Sequence, residues 1–192
     1  MTTMTQEQEQ KLAQMFKYLN LFMVLMWRLG MGRLLNIWPK HAGQIMVIGH
    51  TGRLSGLKRY TPVNYTIIDD FIYCTAAMGS QSHWYKNIMH IPQVELWLPD
   101  GRWQGEVEDA TDEDIRLPAL RQVLIASGFA AKLFEGIDPH TMSEQALDEL
   151  TEDYRLIRIR RTHPRVGPGG PGELAWVWGI VLFLLIGRLR KR

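Results

Sequence analysis

Short runs rich in β-branched and aromatic residues, separated by tight-turn residues, dominate the sequence between residues 44 and 109. Asp69-Asp70 and Pro99-Asp100-Gly101 join neighbouring runs through connections of hairpin length. This pattern constrains the region to antiparallel strand pairs, because parallel strands need a long crossover. We place the strands at 44–50, 57–67, 71–77, 93–98 and 102–109.

Helical patterns lie on both sides of these runs and between them. Apolar residues from Leu12 to Leu29 recur at three- and four-residue steps, which predicts a helix that becomes apolar on every side from Leu21 to Trp27. The segment "SQSHWYKNIMH" predicts a short helix that ends before Pro92. We also expect a helix over 142–152 and a closing strand in "YRLIRIRR".

A run of acids from Glu108 to Asp114 predicts the start of another helix. Thr111 can cap this helix, with Asp114 three residues later, and the carboxylates favour the positive end of the helix dipole. Pro118 then restarts the helix, which we expect to run to about Leu133. This structural role accounts for the acids, and we assign no metal to them.

These elements predict a mainly β (α+β) fold, a small antiparallel barrel with helical additions. The pattern alone leaves a sandwich and a barrel nearly tied. The expected organisation is an N-terminal helical segment, a β domain, a flexible Gly/Pro linker, and an apolar helix with a basic tail. Their bounds are 1–39, 40–165, 166–172 and 173–192.

Net charge and cysteine content exclude several classes of function. The chain carries +2 in total, and its last twenty residues carry +3, which leaves −1 for the remainder. A near-neutral body without basic stripes is a poor binder of nucleic acid. The single cysteine, Cys74, rules out an internal disulfide framework, and we expect it to be buried and inert. The start "MTTMTQEQEQ" does not resemble a signal peptide, so we expect a cytosolic protein.

The segment "TGRLSGLKR", residues 51–59, has the composition of a phosphate clamp between two strands. Its glycines allow close approach of a ligand, and consecutive amides in such a turn can converge on an anion. Arginine suits bidentate phosphate contact, and lysine supplies a point charge. Neither GKS nor GKT follows, so this is not a Walker loop. A solvated hairpin with scattered bases is the alternative.

Three motifs taken together resemble the deazaflavin-dependent nitroreductase and quinone reductase family. They are "TGRLSGLKRYTPVNY", "AAMGSQSHWYKNIMHIPQVEL" and "EDATDED", in that order and spacing, within residues 40–114. The resemblance implies a flavin-reductase-like split β-barrel that binds the reduced deazaflavin coenzyme F420. It also implies that the coenzyme's hydride passes to quinones, nitroaromatics or other conjugated acceptors.

The resemblance assigns coenzyme contacts position by position. The turn would border the phosphate or acidic tail, the next strand would lie under the deazaflavin ring, a third segment would follow the ring's other edge, and the short helix would close the pocket. In that order the residues are Gly52, Arg53, Ser55, Gly56 and Arg59; Thr61 and Pro62; Ala76, Ala77, Met78 and Gly79; and Trp84, Tyr85 and Asn87. Pro92 and Val94 would form the turn into the next strand.

Two positions depart from the family. Leu54 and Met78 stand where family members carry lysine, which removes positive charge beside an anionic tail. Lys58 is the candidate that replaces some of this charge. The coenzyme FMN therefore stays open as an alternative to F420.

The sequence shows no convincing arrangement for acid–base, nucleophilic or metal catalysis, and we name no catalytic residue. A cofactor enzyme permits this, because the ring system carries the hydride step and the protein supplies binding, orientation and an apolar wall. Candidates for that wall, which are equally ordinary barrel residues, are Tyr60, Tyr65, Trp84 and Tyr85. His83 and His90 are expected on one helix face in a structural or solvent role.

The C-terminal segment suggests contact with a membrane. Residues 174–187 carry no charge and would span about 21 Å as a helix. This is shorter than a hydrocarbon core of about 30 Å. Trp176 and Trp178 at one end and bases at the other resemble interfacial anchors. We expect shallow insertion from the cytosolic face, with burial in a helix pair or a dimer interface as the alternative.

The sequence therefore predicts a membrane-associated oxidoreductase on the cytoplasmic side of the cell membrane. It would transfer a hydride from reduced F420 to a lipophilic acceptor such as a quinone or nitroaromatic. Its expected partners are that acceptor and the membrane surface, reached through 173–192, and a homodimer is left open. An FMN-dependent reductase and a non-catalytic barrel that binds a lipophilic ligand are the alternatives.

Overall fold

A computed structural model describes residues 6–36, 43–128 and 138–189. Its helices are α1 (Gln6–Arg28), α2 (Gly32–Leu35), α3 (His83–His90), α4 (Arg116–Ala126), α5 (Glu144–Leu150) and α6 (Val177–Leu189), with a 3₁₀ turn at Gly79–Gln81. Its strands are β1 (Ile45–Thr51), β2 (Lys58–Ile68), β3 (Phe71–Ala76), β4 (Gln93–Leu98), β5 (Gly101–Asp109) and β6 (Arg155–Pro164). Each strand lies close to its predicted position.

The strands form a closed antiparallel barrel in the order β1-β2-β3-β6-β5-β4. The hairpins β1–β2–β3 and β4–β5 contribute two sectors of the wall. Strand β6, which follows β5 by about 45 residues, pairs with both β3 and β5. Strand β1 pairs with β4 and closes the barrel. The predicted mainly β fold is confirmed, and the barrel is the correct choice of the two architectures that the pattern allowed.

The turn between β2 and β3 consists of two aspartates in the left-handed region. Asp69 and Asp70 have φ of 48° and 67°. Two consecutive positive φ values define a type I′ turn, whose twist matches that of the strands it joins, and aspartate tolerates this conformation. The predicted hairpin at this position is confirmed.

Alternate residues of each strand point into the barrel and form its core. In β1 these include Met46 and Ile48, and in β4 they include Val94 and Leu96. Cys74 lies in the same core without any exposed surface, and burial raises the pKa of its thiol far above the ordinary value. The expectation of a buried, inert cysteine is confirmed.

Two helices cover the outer face of the barrel. Helix α4 packs Leu120, Val123 and Leu124 against Tyr73 and Leu156 of the wall. The last turn of α1 places Trp27 on Val47 and Trp97. These clusters leave parts of the barrel wall buried on both sides, which explains why β4 is buried at five consecutive positions.

The acidic run does not open a helix, which corrects the prediction. Asp109 is the last residue of β5, and α4 begins only at Arg116. Thr111 is not an N-cap: its hydroxyl donates to Asp109 Oδ1 and accepts from the backbone N–H of Leu156 at 3.0 Å. The acids belong to the strand and its exit turn because Asp109 continues the ladder with β6, a tertiary contact that local spacing does not reveal.

Pro118 lies in the first turn of α4, where its missing N–H costs no helical hydrogen bond. The helix ends at Ala126, whereas its predicted end at Leu133 lies outside the described residues. The predicted boundary at residue 39 and the bases Arg190, Lys191 and Arg192 also lie outside them. The helix predicted over 142–152 is present as α5, with Ser143 Oγ accepting from the N–H of Ala146 at 3.2 Å.

The segment 166–172, predicted as a flexible linker, is hydrogen-bonded to the rest of the molecule. The guanidinium of Arg102 donates to the carbonyls of Gly167 and Pro168 at 3.0 and 3.1 Å. A side chain at Gly170 would place its Cβ 3.0 Å from Arg102 Cδ, so the backbone lies against the arginine. The composition predicted a flexible segment, but the missing side chain at Gly170 instead permits close packing of the backbone on Arg102.

The start of α6 is fixed beside the end of α1. The N–H of Leu174 donates to the carbonyl of Arg28 at 2.9 Å, and the indole of Trp178 donates to the carbonyl of Leu29 at 2.8 Å. Arg28 also pairs with Glu173 at 3.0 Å. The two strongly apolar segments of the sequence therefore meet at one junction.

Candidate functional site

The turn between β1 and β2 is a compact loop closed on itself. The N–H of Gly52 donates to the carbonyl of Leu57 at 2.9 Å, and the N–H groups of Ser55 and Gly56 donate to the carbonyl of Gly52. Gly56 has φ of 65°, which favours glycine. A side chain at Gly52 would place its Cβ 2.7 Å from Ser55 Oγ and 3.0 Å from Arg59 Nε. Glycine at this position therefore preserves a small polar cradle.

Two arginines flank this cradle. Arg59 is exposed at the start of β2, and no carboxylate pairs with it within the described ranges. Arg53 is held in place, because its backbone N–H and its guanidinium both donate to Asn87 Oδ1 at 3.1 Å. Two guanidinium groups beside a polar cradle fit an anionic ligand such as a phosphate or carboxylate.

Helix α3 connects this turn to the barrel core. His83 and Asn87, one helical turn apart, contact Arg53, while Tyr85 and Ile88 enter the core. Burial, together with the hydrogen bond to Asp109 and its charge, raises the pKa of Tyr85 to about 12. The phenol is therefore protonated at neutral pH and anchors the helix to the end of β5.

His50 lies buried at the end of β1, next to the turn. Its Nδ1 is 3.3 Å from Asn87 Nδ2 and its Nε2 is 3.1 Å from Thr61 Oγ1. Burial, with the charge of Arg59 adding to it, lowers the pKa of His50 to about 4, so the ring is neutral at pH 7. Sequence reasoning did not identify this residue, although a histidine following the inward-facing Met46 and Ile48 breaks the apolar alternation.

The predicted segment 76–79 lies at the end of β3, before α3. Ala76 is buried in the core with Tyr85, whereas Ala77 and Met78 are exposed. Gly79 has φ of 54°, and a Cβ there would lie 2.3 Å from the carbonyl oxygen of Asp153. Trp84 packs against the same core from α3. Helix α3 thus contacts both predicted halves of the site, the turn through Asn87 and the end of β3 through the core.

Side-chain alternation along β2 separates the remaining predicted residues. Arg59 and Thr61 share the face of their β1 partners His50 and Ile48, whereas Lys58, Tyr60 and Pro62 point to the outer face. The ammonium of Lys58 donates to Glu95, a buried carboxylate of β4. Lys58 is therefore not brought to the cradle, and it does not replace the charge missing at Leu54.

Two of the candidate wall residues pack within the barrel structure. Tyr60 stacks on Trp97 on the outer face, with ring centroids 4.7 Å apart. Tyr65 is buried in the core, where desolvation and the nearby Asp100 raise the pKa of its phenol to about 12. Val94 is also a core residue, and the carbonyl of Pro92 accepts from the N–H of Val107 at 3.0 Å.

A groove of about 490 Å³ lies elsewhere, between the end of β2 and the start of α4. It is lined by the last three residues of β2, whereas the cradle lies at the opposite end of this eleven-residue strand. We do not assign the site to this groove, because it lacks the pair of arginines. Its lining residues are Thr66, Ile67, Ile68, Ile115, Leu117, Pro118, Arg121, Gln122 and Glu144.

Comparison with known proteins gives one family and several solved structures. The F420H(2)-dependent quinone reductase family matches residues 24–128, a little over half of the chain and all of the candidate site. None of the curated proteins matches the sequence.

Three solved structures illustrate the similarity of shape. A candidate pyridoxamine 5′-phosphate oxidase from Listeria innocua is 14% identical, covers 71% of this chain and 97% of its own, and has a TM-score of 0.45. The haem storage protein from Vibrio cholerae is 11% identical, covers 68% of this chain and 89% of its own, and has a TM-score of 0.43. An F420-H2 dependent reductase is 17% identical, covers 61% of this chain and 94% of its own, and has a TM-score of 0.42.

Proposed function

Since the chain belongs to the F420H2-dependent quinone reductase family and is an F420-dependent oxidoreductase, we propose that it passes a hydride from the reduced coenzyme to a lipophilic acceptor at a membrane surface. The cradle at Gly52 between two arginines is the observation that carries the placement of the coenzyme. The acceptor would be a quinone or a similar conjugated molecule.

In this proposal the turn holds the anionic end of the coenzyme. The guanidinium of Arg59, with no carboxylate partner in the described residues, is available for a charged hydrogen bond to a phosphate or carboxylate oxygen. Arg53 is oriented by Asn87, so its remaining N–H groups meet the ligand without a further loss of side-chain freedom. The hydroxyl of Ser55 lines the cradle, whereas the N–H groups of Gly52, Ser55 and Gly56 donate within the turn and only hold its shape, so the expected convergence of these amides on an anion is not formed.

The ring of the coenzyme would lie over Thr61 and along residues 76–79, with Trp84 on the side of α3. When bound, reduced F420 supplies the hydride. The chain's own residues bind, orient and exclude water, and we assign none of them a catalytic role. Tyr85 holds α3 against β5 through Asp109, and Asn87 ties the same helix to the turn.

Replacing Arg59 with alanine is expected to weaken F420 binding by about 1.5–3 kcal/mol, or roughly 10- to 150-fold, because a charged hydrogen bond is lost. Equilibrium titration of the purified protein with F420 measures this change. Arg160→Ala is the matched control, since Arg160 is an exposed cation of β6 that pairs with Glu106.

An unchanged dissociation constant for Arg59→Ala would remove this residue from the site. A loss of similar size in the Arg160 control would indicate a general charge effect instead. Parallel titration with FMN addresses the alternative coenzyme: tighter binding of FMN than of F420 would contradict the proposal. Failure of the unaltered protein to bind either ring system would favour a non-catalytic barrel.

Exposed apolar side chains support attachment to a membrane. On α6, Phe183 is 77% and Leu189 73% exposed, and on α1, Leu21 and Phe22 are also exposed. Helix α1 ends and α6 begins next to the junction at Arg28, so one lipid surface can contact both helices together. Within the described residues, no helix combines the length and apolarity that crossing a bilayer requires.

We place the protein on the cytoplasmic side of the cell membrane. Four bases, Arg188, Arg190, Lys191 and Arg192, lie within residues 188–192, at and beyond the last turn of the apolar helix. Bases near an anionic leaflet each contribute about 1 kcal/mol to attachment, and the cytoplasmic leaflet is the anionic one. This side is also where a reduced cytosolic coenzyme is available. A lipophilic acceptor would then reach the site from the bilayer.

Replacing Leu182, Phe183 and Leu185 together with serine is expected to move most of the protein from anionic vesicles into solution. The three side chains are exposed and would lose their burial in the acyl region. Co-sedimentation with phosphatidylserine-containing vesicles measures the shift, and F420 affinity should not change. Leu150→Ser, at an exposed leucine of α5, is the control. Unaltered sedimentation of the triple variant would place the attachment elsewhere.

A further inference from the structure

A chain of four polar side chains runs from the turn into the barrel. Arg53 donates to Asn87 Oδ1 at 3.1 Å, Asn87 Nδ2 lies 3.3 Å from His50 Nδ1, and His50 Nε2 lies 3.1 Å from Thr61 Oγ1. Asn87 and His50 are 5% and 3% exposed. The chain therefore joins the residue beside the anion cradle to the residue expected under the coenzyme ring.

The orientation of the Asn87 amide is fixed by its neighbours. Its oxygen accepts from both the backbone N–H and the guanidinium of Arg53. A flipped amide would direct its NH₂ group at these two donors, and donors repel each other. The NH₂ group must therefore face His50.

The orientation of Asn87 fixes the tautomer of His50. Because the Asn87 NH₂ group donates, the facing Nδ1 of His50 must accept and carries no hydrogen. A neutral imidazole then has its hydrogen on Nε2. The lowered pKa of His50 agrees with the neutral ring at pH 7.

The tautomer in turn leaves the hydroxyl hydrogen of Thr61 available for another hydrogen bond. The Nε2–H of His50 donates to Thr61 Oγ1, so the hydroxyl hydrogen of Thr61 is not used in this contact. Thr61 is half-buried, so its hydroxyl can still reach a ligand. The hydroxyl hydrogen is then available for donation to that ligand.

We propose that His50 is a positioning residue that makes Thr61 a hydrogen-bond donor to an acceptor atom of the coenzyme ring, a ring carbonyl oxygen or ring nitrogen. The relay begins at Arg53, so binding of the anionic tail and orientation of the ring depend on one connected set of hydrogen bonds. This inference rests on the proposed function for its ligand. The tautomer of His50 does not depend on it.

Histidine-selective ¹⁵N NMR of the protein without coenzyme at pH 7 tests the first half. The spectrum of a His50→Phe variant identifies the signals of His50 among the six histidines of the sequence. We expect a protonated Nε2 and an unprotonated Nδ1. A protonated Nδ1, or an imidazolium, would overturn the relay.

Titration with F420 tests the second half. Thr61→Val removes the hydroxyl at nearly constant volume and should weaken binding by about three- to tenfold, the effect of one neutral hydrogen bond. Thr61→Ser keeps the donor and should bind like the unaltered protein. His50→Phe should cause a smaller loss, and this loss should vanish in the Thr61→Val background, because His50 acts through Thr61.

The outcomes separate the relay from the proposed function. If the unaltered protein binds F420 but Thr61→Val binds equally well, the relay is wrong and the proposed function stands. If His50→Phe costs as much in the Thr61→Val background as alone, His50 has only a general structural role and the inference fails. If the unaltered protein does not bind F420, the proposed function fails, and the NMR tautomer alone decides the hydrogen-bond order.

Discussion

Replacing Glu95 with glutamine is expected to lower the free energy of unfolding by about 3–5 kcal/mol, because it leaves a buried guanidinium without its counter-ion. The side chain of Glu95 is 1% exposed and that of Arg102 is 8% exposed. Arg102 donates to both carboxylate oxygens, with Nε at 2.7 Å and a terminal nitrogen at 2.9 Å. Such a bidentate pair is strong while both partners are present.

Other donors complete the surroundings of Glu95. The indole of Trp97 donates to it at 2.6 Å, Lys58 donates from the start of β2, and Arg165 lies at 3.3 Å. Burial alone would raise the pKa of the carboxyl, but the hydrogen bonds from Arg102, Lys58 and Trp97 outweigh it and lower the pKa to about 2. The carboxylate is therefore charged at neutral pH.

Urea denaturation at pH 7 measures the effect, and Glu106→Gln is the matched control. Glu106 lies on the neighbouring strand and also pairs with an arginine, but both side chains are largely exposed. Exposed pairs contribute at most about 1 kcal/mol, so this control should change stability little. Equal losses in the two variants, or a loss below about 1 kcal/mol for Glu95→Gln, would contradict the role of the buried charge.

The same cluster joins three parts of the molecule. Lys58 follows the turn between β1 and β2, Trp97 packs under α1, and Arg102 holds the segment 166–172. Loss of Glu95 should therefore loosen the attachment of α1 and α6 as well as the barrel. Arg59→Ala removes a charge that the fold does not use, so it should lower coenzyme affinity without this loss of stability.

The barrel could be predicted from the sequence because its signals are local. Asp69 and Asp70 tolerate the positive φ that a two-residue hairpin turn needs, so the turn can be recognised from these two residues alone. The alternation of Met46 and Ile48 identifies the inward face of β1. Strand β6 pairs with β3 and β5, which are distant from it in the sequence. This pairing completes the barrel, and the spacing of residues does not reveal it, so the sequence did not distinguish a barrel from a sandwich. The Thr111 prediction failed for the same reason, because its partner Leu156 is 45 residues away.

The part of the candidate site that lies in one short segment could be predicted from the sequence. Gly52, Arg53 and Arg59 lie within eight positions, and the structure gathers them around one cradle. Lys58 was misassigned because charge alone does not tell which face of β2 a side chain occupies, and its partner Glu95 lies 37 residues away. His50 required the contact with Asn87, which only the packing of α3 on the turn creates.

Stability is expected to fall by about 3 kcal/mol between pH 6.5 and pH 4 because of His50. Its pKa is about 4 in the folded protein against 6.5 for an ordinary histidine. Above pH 6.5 the ring is neutral in both states, so it adds no pH dependence. As the pH falls below 6.5, the unfolded chain binds a proton that the folded protein, with Arg59 and the Asn87 NH₂ group beside the ring, does not accept.

The pH dependence of two variants distinguishes this histidine from the acids. His50→Phe should flatten the stability curve between pH 6.5 and 4 and leave the range below 4 unchanged. Glu95→Gln should flatten the curve below pH 4.5 and leave the slope at higher pH unchanged. The pKa of Glu95 is about 2 in the folded protein and 4.5 for an ordinary glutamate, so its contribution to stability is lost between pH 4.5 and 2. Urea titrations at half-unit pH intervals measure both slopes relative to the unaltered protein. If His50→Phe keeps the slope between pH 6.5 and 4, the ring is not held neutral, and the hydrogen-bond order from Arg53 to Thr61 loses its support.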